Sequence, residues 1–127
     1  MEPELPYLEL GAARTDLRRQ LVDAVLRGEK TATAGLLADF EAEGRQPGKV
    51  GARRILAGYD DEPVAVIEIT ESRIVPAAEI DESFARDEGE NFDSVEEWRR
   101  AHERFFDQPI EPTTQIVAVR FRVVERL

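Results

Sequence analysis

A lysine and a threonine that could act together lie in the segment GEKTATAG, residues 28–35. Lys30 is one of only two lysines in a chain with fifteen arginines, and lysine, unlike arginine, can lose its proton when it is desolvated. Beside Thr33, such a lysine could activate the hydroxyl as a nucleophile. The alternative is a solvated lysine just beyond a helix end, where its charge complements the helix dipole. The spacing alone favours this second interpretation.

Glu68 is the second candidate for acid–base chemistry. Residues 64–70, VAVIEIT, alternate as a strand does, so Glu68 shares a face with Val64 and Val66. If that face lines a partly buried pocket, burial raises the pKa of Glu68 and suits it to acid–base work. If the opposite, fully apolar face is the core, Glu68 faces solvent. Periodicity alone favours the solvent-facing position.

Aromatic and acidic side chains near the C-terminal third offer less specific signals. Trp98, His102 and Phe105 recur at helical spacing, which is typical of a helix face packed in a core. His102 is the only histidine and there is no cysteine, so a metal cluster of histidines or thiolates is excluded. Glu88, Glu90 and Asp93 could contribute to a carboxylate site for a hard cation, but an acidic, solvated loop is the favoured interpretation of this stretch.

Predicted helices lie on either side of the segment that contains Lys30 and Thr33. A helix is predicted from Asp16 to Arg27, with Thr15 as its N-cap and Gly28 as its C-terminal stop. Residues 28–35 are expected to form a loop that leads to a short helix, which Gly44 ends.

Strands are predicted at Lys49–Tyr59, at Val64–Thr70 and, most clearly, at Thr114–Val124. We expect all three to pair within one sheet, because they share a period of two. Residues 1–13 are expected to be an extended lead-in to a single domain spanning 1–127. The order of elements predicts an α+β fold with a mixed sheet or small barrel.

The region between the strands is expected to be helical in part. Residues 76–93 are predicted to form short helical turns and loop, and the capping box SVEE at 94–97 opens a helix that reaches about Phe106. We expect Trp98 and Phe105 to be buried and the two arginines that follow Trp98 to be exposed.

Composition limits the partners. The formal net charge is −10, and residues 61–127 carry 17 acidic and 8 basic side chains. An acidic chain repels phosphate backbones, so tight non-specific binding to DNA is not expected. The acidic N-terminus is unlike a secretory signal, and no apolar run approaches the roughly 20 residues of a membrane span. We therefore expect a cytoplasmic protein without a membrane partner.

Four motifs occur together in an order that resembles the ASCH family (activating signal cointegrator homology), a branch of the PUA-like fold. The resemblance covers about residues 14–125, and Asn91 stands where many members have glycine. The motifs are GEKTAT at 28–33, PGKVG at 47–51, VIEIT at 66–70, and FARDEGE at 84–90 followed by Trp98, His102, Phe105 and Phe106.

The resemblance implies a PUA-like fold, a small mixed β-barrel with flanking helices and a cleft for RNA or a nucleoside. Some small members are amidohydrolases that deacetylate N4-acetylcytidine, and their Lys, Thr and Glu match Lys30, Thr33 and Glu68. Lys30 would act as base, Thr33 would attack the acetyl carbonyl, and Glu68 would protonate or orient the leaving amine. This scheme requires no metal and no other cofactor. Those amidohydrolases lack the Glu88–Phe106 insert.

Two other functions are compatible with the resemblance. One is a module that binds or cleaves single-stranded RNA, with bases stacked on aromatic rings; the net charge counts against it. The other is a non-enzymatic regulatory domain that uses the acidic insert as a contact surface.

The residues expected to contact a nucleoside or RNA ligand are Thr31, Arg53, Arg54, Tyr59, Arg120 and Arg122.

Overall fold

The structure is a computed structural model that describes residues 5–127. Its elements, in chain order, are strand β1 (Tyr7–Leu8), helix α1 (Asp16–Arg27), strand β2 (Ala32–Leu36), helix α2 (Leu37–Ala42), strands β3 (Arg53–Ala57) and β4 (Pro63–Pro76), a 3₁₀ turn (Ala77–Glu79), helices α3 (Glu82–Asp87) and α4 (Val95–Phe106), and strand β5 (Gln115–Arg126). No described helix is long and apolar enough to cross a membrane.

The five strands form one mixed sheet in the order β1-β3-β4-β5-β2. β1 is parallel to β3, and the other neighbours are antiparallel. The prediction that the three long strands share a sheet is therefore confirmed. The described strands do not close into a cylinder, so the α+β, PUA-like architecture is present as an open sheet and the barrel is not confirmed.

Two apolar clusters lie on opposite faces of the sheet. Alternate residues of β5 divide between them: Phe121 belongs to the cluster that packs against α1, whereas Ile116 and Ala118 belong to the cluster beneath α3 and α4. This division follows from the period of two in a strand. Helices on both faces place the edge strand β2 between α1 and α4.

Helix α1 has the predicted ends. The Thr15 side chain accepts a hydrogen bond from the Arg18 backbone N–H, and Gly28 ends the helix with φ of 82°, a conformation that favours glycine. The predicted loop at 28–35 is wrong, because residues 32–36 pair with β5 as strand β2. Gly35 makes room there for Phe40, since a Cβ at position 35 would lie 2.9 Å from the Phe40 ring.

Helix α4 begins as predicted at its cap, where the Ser94 hydroxyl accepts from the Glu97 backbone N–H. Trp98 is fully buried, as expected, but Phe105 is 55% exposed. The prediction that both are buried is therefore wrong for Phe105. The ring lies beside a groove instead of beneath the sheet, because α4 presents it toward α1 and β2.

Candidate functional site

Lys30 is buried, with an exposure of only 2%, where the chain passes from α1 to β2. Its Nζ donates to the backbone oxygens of Ala32, at 2.8 Å, and Glu88, at 3.2 Å. The same nitrogen lies 3.5 Å from Glu88 Oε1 and 3.7 Å from Glu90 Oε2. Two N–H groups therefore have hydrogen-bond acceptors, and two carboxylates lie within ion-pair distance of the nitrogen. The interpretation of Lys30 as a solvated loop residue is wrong.

Glu88 is the centre of the cluster and is 1% exposed. It accepts a hydrogen bond from the indole N–H of Trp98 and lies 3.3 Å from Nε2 of His102. Burial opposes ionisation of Glu88, but the hydrogen bond and charge of His102, together with Lys30, outweigh it and lower the pKa of the carboxyl. The expectation of a solvated acidic loop is thus wrong at this position.

His102 is fixed by contacts on both ring nitrogens. Nδ1 lies 2.8 Å from the Trp98 carbonyl oxygen, one turn earlier, and the ring stacks on the indole at 4.4 Å between centroids. Burial disfavours the charged ring, but the hydrogen bond and charge of Glu88 overcome it, so the pKa of His102 is raised. His102 and Glu88 therefore form an ion pair inside the protein.

Glu90 is the accessible edge of the cluster, with a side chain that is 27% exposed. Burial raises the pKa of Glu90, and the charge of Glu88 adds to that effect while Lys30 opposes it. A carboxyl with a raised pKa is a better proton acceptor and donor near neutral pH than an ordinary one. Glu90 is thus an accessible carboxyl in the cluster that could accept and return a proton.

A cavity of about 400 Å³ opens onto this cluster. We call it the lysine cavity; its walls include Leu17 and Leu21 from α1, Thr33 from β2, Phe105 from α4, and Lys30, Glu88, Glu90 and His102. Lys30 and Thr33, which the sequence placed together, line the same cavity.

Arg18 fixes another wall of the cavity, formed by residues 9–11 of the lead-in. This buried side chain donates from Nε to the Leu10 carbonyl at 2.9 Å and from a terminal nitrogen to the Gly11 carbonyl at 2.7 Å. A further bond, of 2.8 Å, reaches the Gly58 carbonyl at the turn between β3 and β4. Nothing in the sequence marks this arginine among fifteen.

Glu68 lies elsewhere. Its carboxylate is 3.3 Å from Arg53 and 3.1 Å from Arg122, on the face of β4 opposite the α1 core. Hydrogen bonds from Arg122 and Arg53 lower the pKa of Glu68, so the expectation of a raised pKa is wrong. Glu68 does not line the lysine cavity, because the all-apolar face of β4 is the one that enters the core.

The other expected ligand contacts have partners within the protein. Arg120 pairs with Asp87 and Glu71, and the guanidinium of Arg19 lies 4.2 Å above the Tyr59 ring. Arg54 donates to a backbone carbonyl. The backbone N–H of Thr31 donates to the Asp87 carbonyl at 2.7 Å, which ties β2 to the end of α3.

Among the described residues, one group of three side chains could hold a metal ion at this site. Glu88, Glu90 and His102 each offer a ligand atom, all within 4.8 Å of one another. The Lys30 ammonium already places a positive charge against both carboxylates. The same nitrogen therefore supplies electrostatically what a cation would supply, and a metal would have to compete with it.

Gly89 allows the two glutamates to approach the backbone before β2. Its φ is 71°, and a Cβ at this position would lie 2.6 Å from the Glu29 oxygen and 2.7 Å from the Lys30 Cα. No side chain fits at these distances without backbone movement. Glycine at position 89 thus holds Glu88 and Glu90 against Lys30.

We expect Gly89→Ala to lower the free energy of unfolding by about 2–4 kcal/mol, since the strained φ and the backbone clash add. Gly44 is a matched control: its φ is 66°, and a Cβ there meets nothing within 4 Å. Gly44→Ala should cost only about 1 kcal/mol. Urea denaturation of both variants measures the difference, and equal losses would contradict the close packing at Gly89.

The ion pair of Glu88 and His102 predicts a pH dependence of stability. The pKa of His102 is raised above its ordinary 6.5, so its contribution is complete below pH 6.5 and is lost as pH rises through the folded-state value. The pKa of Glu88 is lowered below 4.5, so its contribution is complete above pH 4.5 and is lost in acid. The pair stabilises the fold most between these two values.

The wild type should therefore melt at a lower temperature at pH 9 than at pH 6, and His102→Phe should lose less over the same interval. Thermal melts of both proteins across that range test this. A variant that keeps the full pH dependence of the wild type would assign the effect to other groups.

Sequence reasoning missed the role of Glu88 and His102, although both stand in motifs that it quoted. The available signal was the i, i+4 spacing of Trp98 and His102, which places two polar ring atoms on a buried helix face. A buried indole N–H needs an acceptor, and the acidic stretch before α4 supplies one.

Comparison with known proteins fixes the family. Residues 9–125 match the family model of the ASCH domain. The chain belongs to the ASCH domain family. ASCH domains are generally linked to RNA binding, and the resemblance read from the sequence is confirmed.

Two crystal structures of similar proteins support the fold of this ASCH domain. A protein from Enterococcus faecalis V583 is 28% identical, with a TM-score of 0.83, over 95% of this chain and 77% of that one. An ASCH domain from Lactobacillus crispatus JV V101 is 26% identical, with a TM-score of 0.80, over 95% of this chain and 80% of that one. No match is found among curated proteins.

Proposed function

We propose that this ASCH domain is a nucleoside-directed hydrolase that cleaves the amide of an N4-acylated cytidine such as N4-acetylcytidine. The observation that supports it is the common cavity of Lys30, Thr33 and Glu90. A hydroxyl, a buried cation and a carboxyl with a raised pKa are the groups that acyl transfer needs.

The size and walls of the lysine cavity suit one nucleoside. Its volume of about 400 Å³ lies within the usual range for small-molecule sites. Leu17, Leu21 and Phe105 offer apolar surface to the faces of a base, and the Lys30 cluster supplies polar groups to the same cavity. This arrangement allows a base to be gripped while its exocyclic amide points at Thr33.

Proton transfer in this proposal belongs to Glu90. Lys30 Nζ donates to two backbone carbonyls and lies within ion-pair distance of two carboxylates. In this proposal Lys30 therefore contributes to catalysis but does not act as the base. Instead it holds Glu90 and places positive charge near the acyl oxygen, which becomes negative during attack. The family resemblance implies that Glu68 protonates the leaving amine; in this proposal Glu90 does so instead.

The proposed hydrolysis passes through an ester on Thr33. Thr33 Oγ1 attacks the acyl carbon while the Glu90 carboxylate accepts the hydroxyl proton. The bond from the acyl carbon to N4 then breaks, and Glu90 returns the proton to N4, which releases cytidine and leaves an ester on Thr33. Water then attacks the acyl carbon of that ester while Glu90 accepts its proton. The bond from the acyl carbon to Thr33 Oγ1 breaks, and Glu90 returns the proton to Oγ1, which releases the carboxylic acid and restores both side chains.

Charge favours a nucleoside over an RNA strand as the ligand. Arg53 and Arg122 are both paired with Glu68, and Arg120 is paired with Asp87 and Glu71. These arginines would have to exchange carboxylates for phosphates, in a protein of net charge −10. A ligand without phosphate avoids that exchange.

The deciding experiment incubates the pure protein with N4-acetylcytidine and, separately, with labelled single-stranded RNA, with and without Mn²⁺. We expect cytidine and acetate from the first and no cleavage of the second. RNA cleavage without deacetylation would overturn the proposal in favour of a ribonuclease, and no turnover of either would favour a binding domain.

Two variants then decide which glutamate acts. Glu90→Gln should lower kcat by about 100-fold or more, the usual contribution of a general acid–base, whereas Glu68→Gln should retain activity. The opposite result would return the acid role to Glu68. Circular dichroism of both variants checks that they are folded.

A further inference from the structure

A second cavity adjoins the lysine cavity at Thr33. It has a volume of about 420 Å³, and we call it the aromatic cavity because Phe40, Phe105 and Phe106 line it. Both cavities are lined by Glu9, Leu10, Thr33, Ala34 and Phe105. The two spaces therefore adjoin along these residues, and Thr33 lies at the boundary between them.

Carboxylates dominate the rim of the aromatic cavity. Glu9, Asp39 and Glu43 line it, against Arg45 as the single cationic side chain among its described lining residues. Arg45 is already paired with Glu43, whereas neither Glu9 nor Asp39 has an ion-pair partner within residues 5–127. The free charge at this rim is negative, which repels phosphate and attracts a cation.

The aromatic cavity already contains one cation–aromatic contact of its own. The guanidinium of Arg45 lies 4.3 Å above the Phe40 ring, a distance at which ring and cation attract. Phe105, which α4 contributes to the same cavity, is 55% exposed and has no such partner in the part of the chain that the structure describes. An entering group that is both apolar and cationic would therefore meet a ring face and unpaired carboxylates together.

We propose that the aromatic cavity is a second ligand subsite that takes an ammonium-bearing, apolar or aromatic group. Given the proposed hydrolysis, on which this assignment of the substrate rests, the group is the acyl part of the amide whose carbonyl lies at Thr33. The substrate class is then an N-aminoacyl nucleoside. An acetyl group would place only one methyl in this space.

The first test measures binding alone. Phenylalaninamide, which carries an ammonium and a ring, is titrated into the wild-type protein by calorimetry, with N-acetylphenylalaninamide as the matched ligand without the charge. We expect the charged ligand to bind at least about fivefold more tightly, the effect of one ion pair or cation–aromatic contact. Equal binding of the two, or no binding of either, overturns the subsite.

Variants locate the site. The double variant Glu9→Gln/Asp39→Asn should remove the preference for the charged ligand, and Phe105→Ala should weaken both ligands. Glu41→Gln is the matched control, since Glu41 is exposed on the same helix as Asp39 but does not line the cavity. A preference that survives the double variant, or that Glu41→Gln removes, overturns the assignment.

The second test separates this inference from the proposed function. N4-phenylalanylcytidine should be hydrolysed with a kcat/KM at least about fivefold above that of N4-acetylcytidine, and the double variant should reduce this ratio toward one. Hydrolysis of the acetyl compound without such a preference overturns the subsite and leaves the hydrolase. Charge-selective binding of phenylalaninamide without hydrolysis of either amide supports the subsite and overturns the hydrolase.

Discussion

Thr33→Ala is expected to lower kcat for N4-acetylcytidine by at least about 1,000-fold, because it removes the nucleophile and leaves only binding and electrostatic contributions. The melting temperature should hardly change, since Thr33 is half-buried on an edge strand and belongs to neither apolar cluster. Chromatographic measurement of cytidine release, beside a thermal melt, gives both quantities from one preparation.

Two further substitutions make that result specific. Thr33→Ser keeps a hydroxyl and should retain measurable turnover, and Thr70→Ala, at an exposed threonine of β4, should match the wild type. If Thr33→Ala deacetylates as fast as the wild type, water attacks the amide directly and Thr33 has no covalent role.

Trp98→Ala is expected to lower the free energy of unfolding by about 3–5 kcal/mol, the usual cost of removing a large buried aromatic side chain. The upper end applies, because the truncation also takes the indole N–H from the buried Glu88 carboxylate, and an ionised acceptor left without its donor is costly. Urea denaturation monitored by far-ultraviolet circular dichroism measures the change.

Control substitutions separate the stability lost in Trp98→Ala into a contribution from ring packing and one from the indole hydrogen bond. Trp98→Phe keeps most of the ring but not the donor and should cost about 1.5–3 kcal/mol, the contribution of a hydrogen bond to a charged group. Phe105→Ala, on the same helix but largely exposed, should cost less than about 1 kcal/mol. A loss for Trp98→Ala no larger than that for Phe105→Ala would contradict its place in the core.

Local signals explain where prediction from the sequence succeeded. Helix α1 has its predicted ends, because its cap, its apolar stripe and its terminal glycine all lie within residues 15–28. Strand β2 was missed because ATAGL lacks the β-branched and aromatic alternation of a typical strand. Its strand conformation depends on pairing with β5, at least eighty positions away, which no local pattern shows.

The site was found in part for the same reason. Lys30 and Thr33 lie close in sequence and share a motif, so they could be predicted together. The contact of Lys30 with Glu88 joins residues 58 positions apart, and local composition made that glutamate look solvated. For Glu68 the periodicity favoured a solvent-facing position, which the structure has, whereas the family resemblance suggested a catalytic one.

The hydrogen bond from the Thr31 amide to the Asp87 carbonyl makes hydrogen exchange at Thr31 a measure of opening at the lysine cavity. Solvent exchange of that one amide hydrogen requires β2 and the end of α3 to separate, an opening that would dismantle the lysine cavity while most of the sheet stays paired. A molecule that contacts Thr33 on one side and Glu90, just beyond the end of α3, on the other holds the two parts together. Occupancy of the cavity should therefore slow deuterium uptake at Thr31, even for a ligand that is never converted.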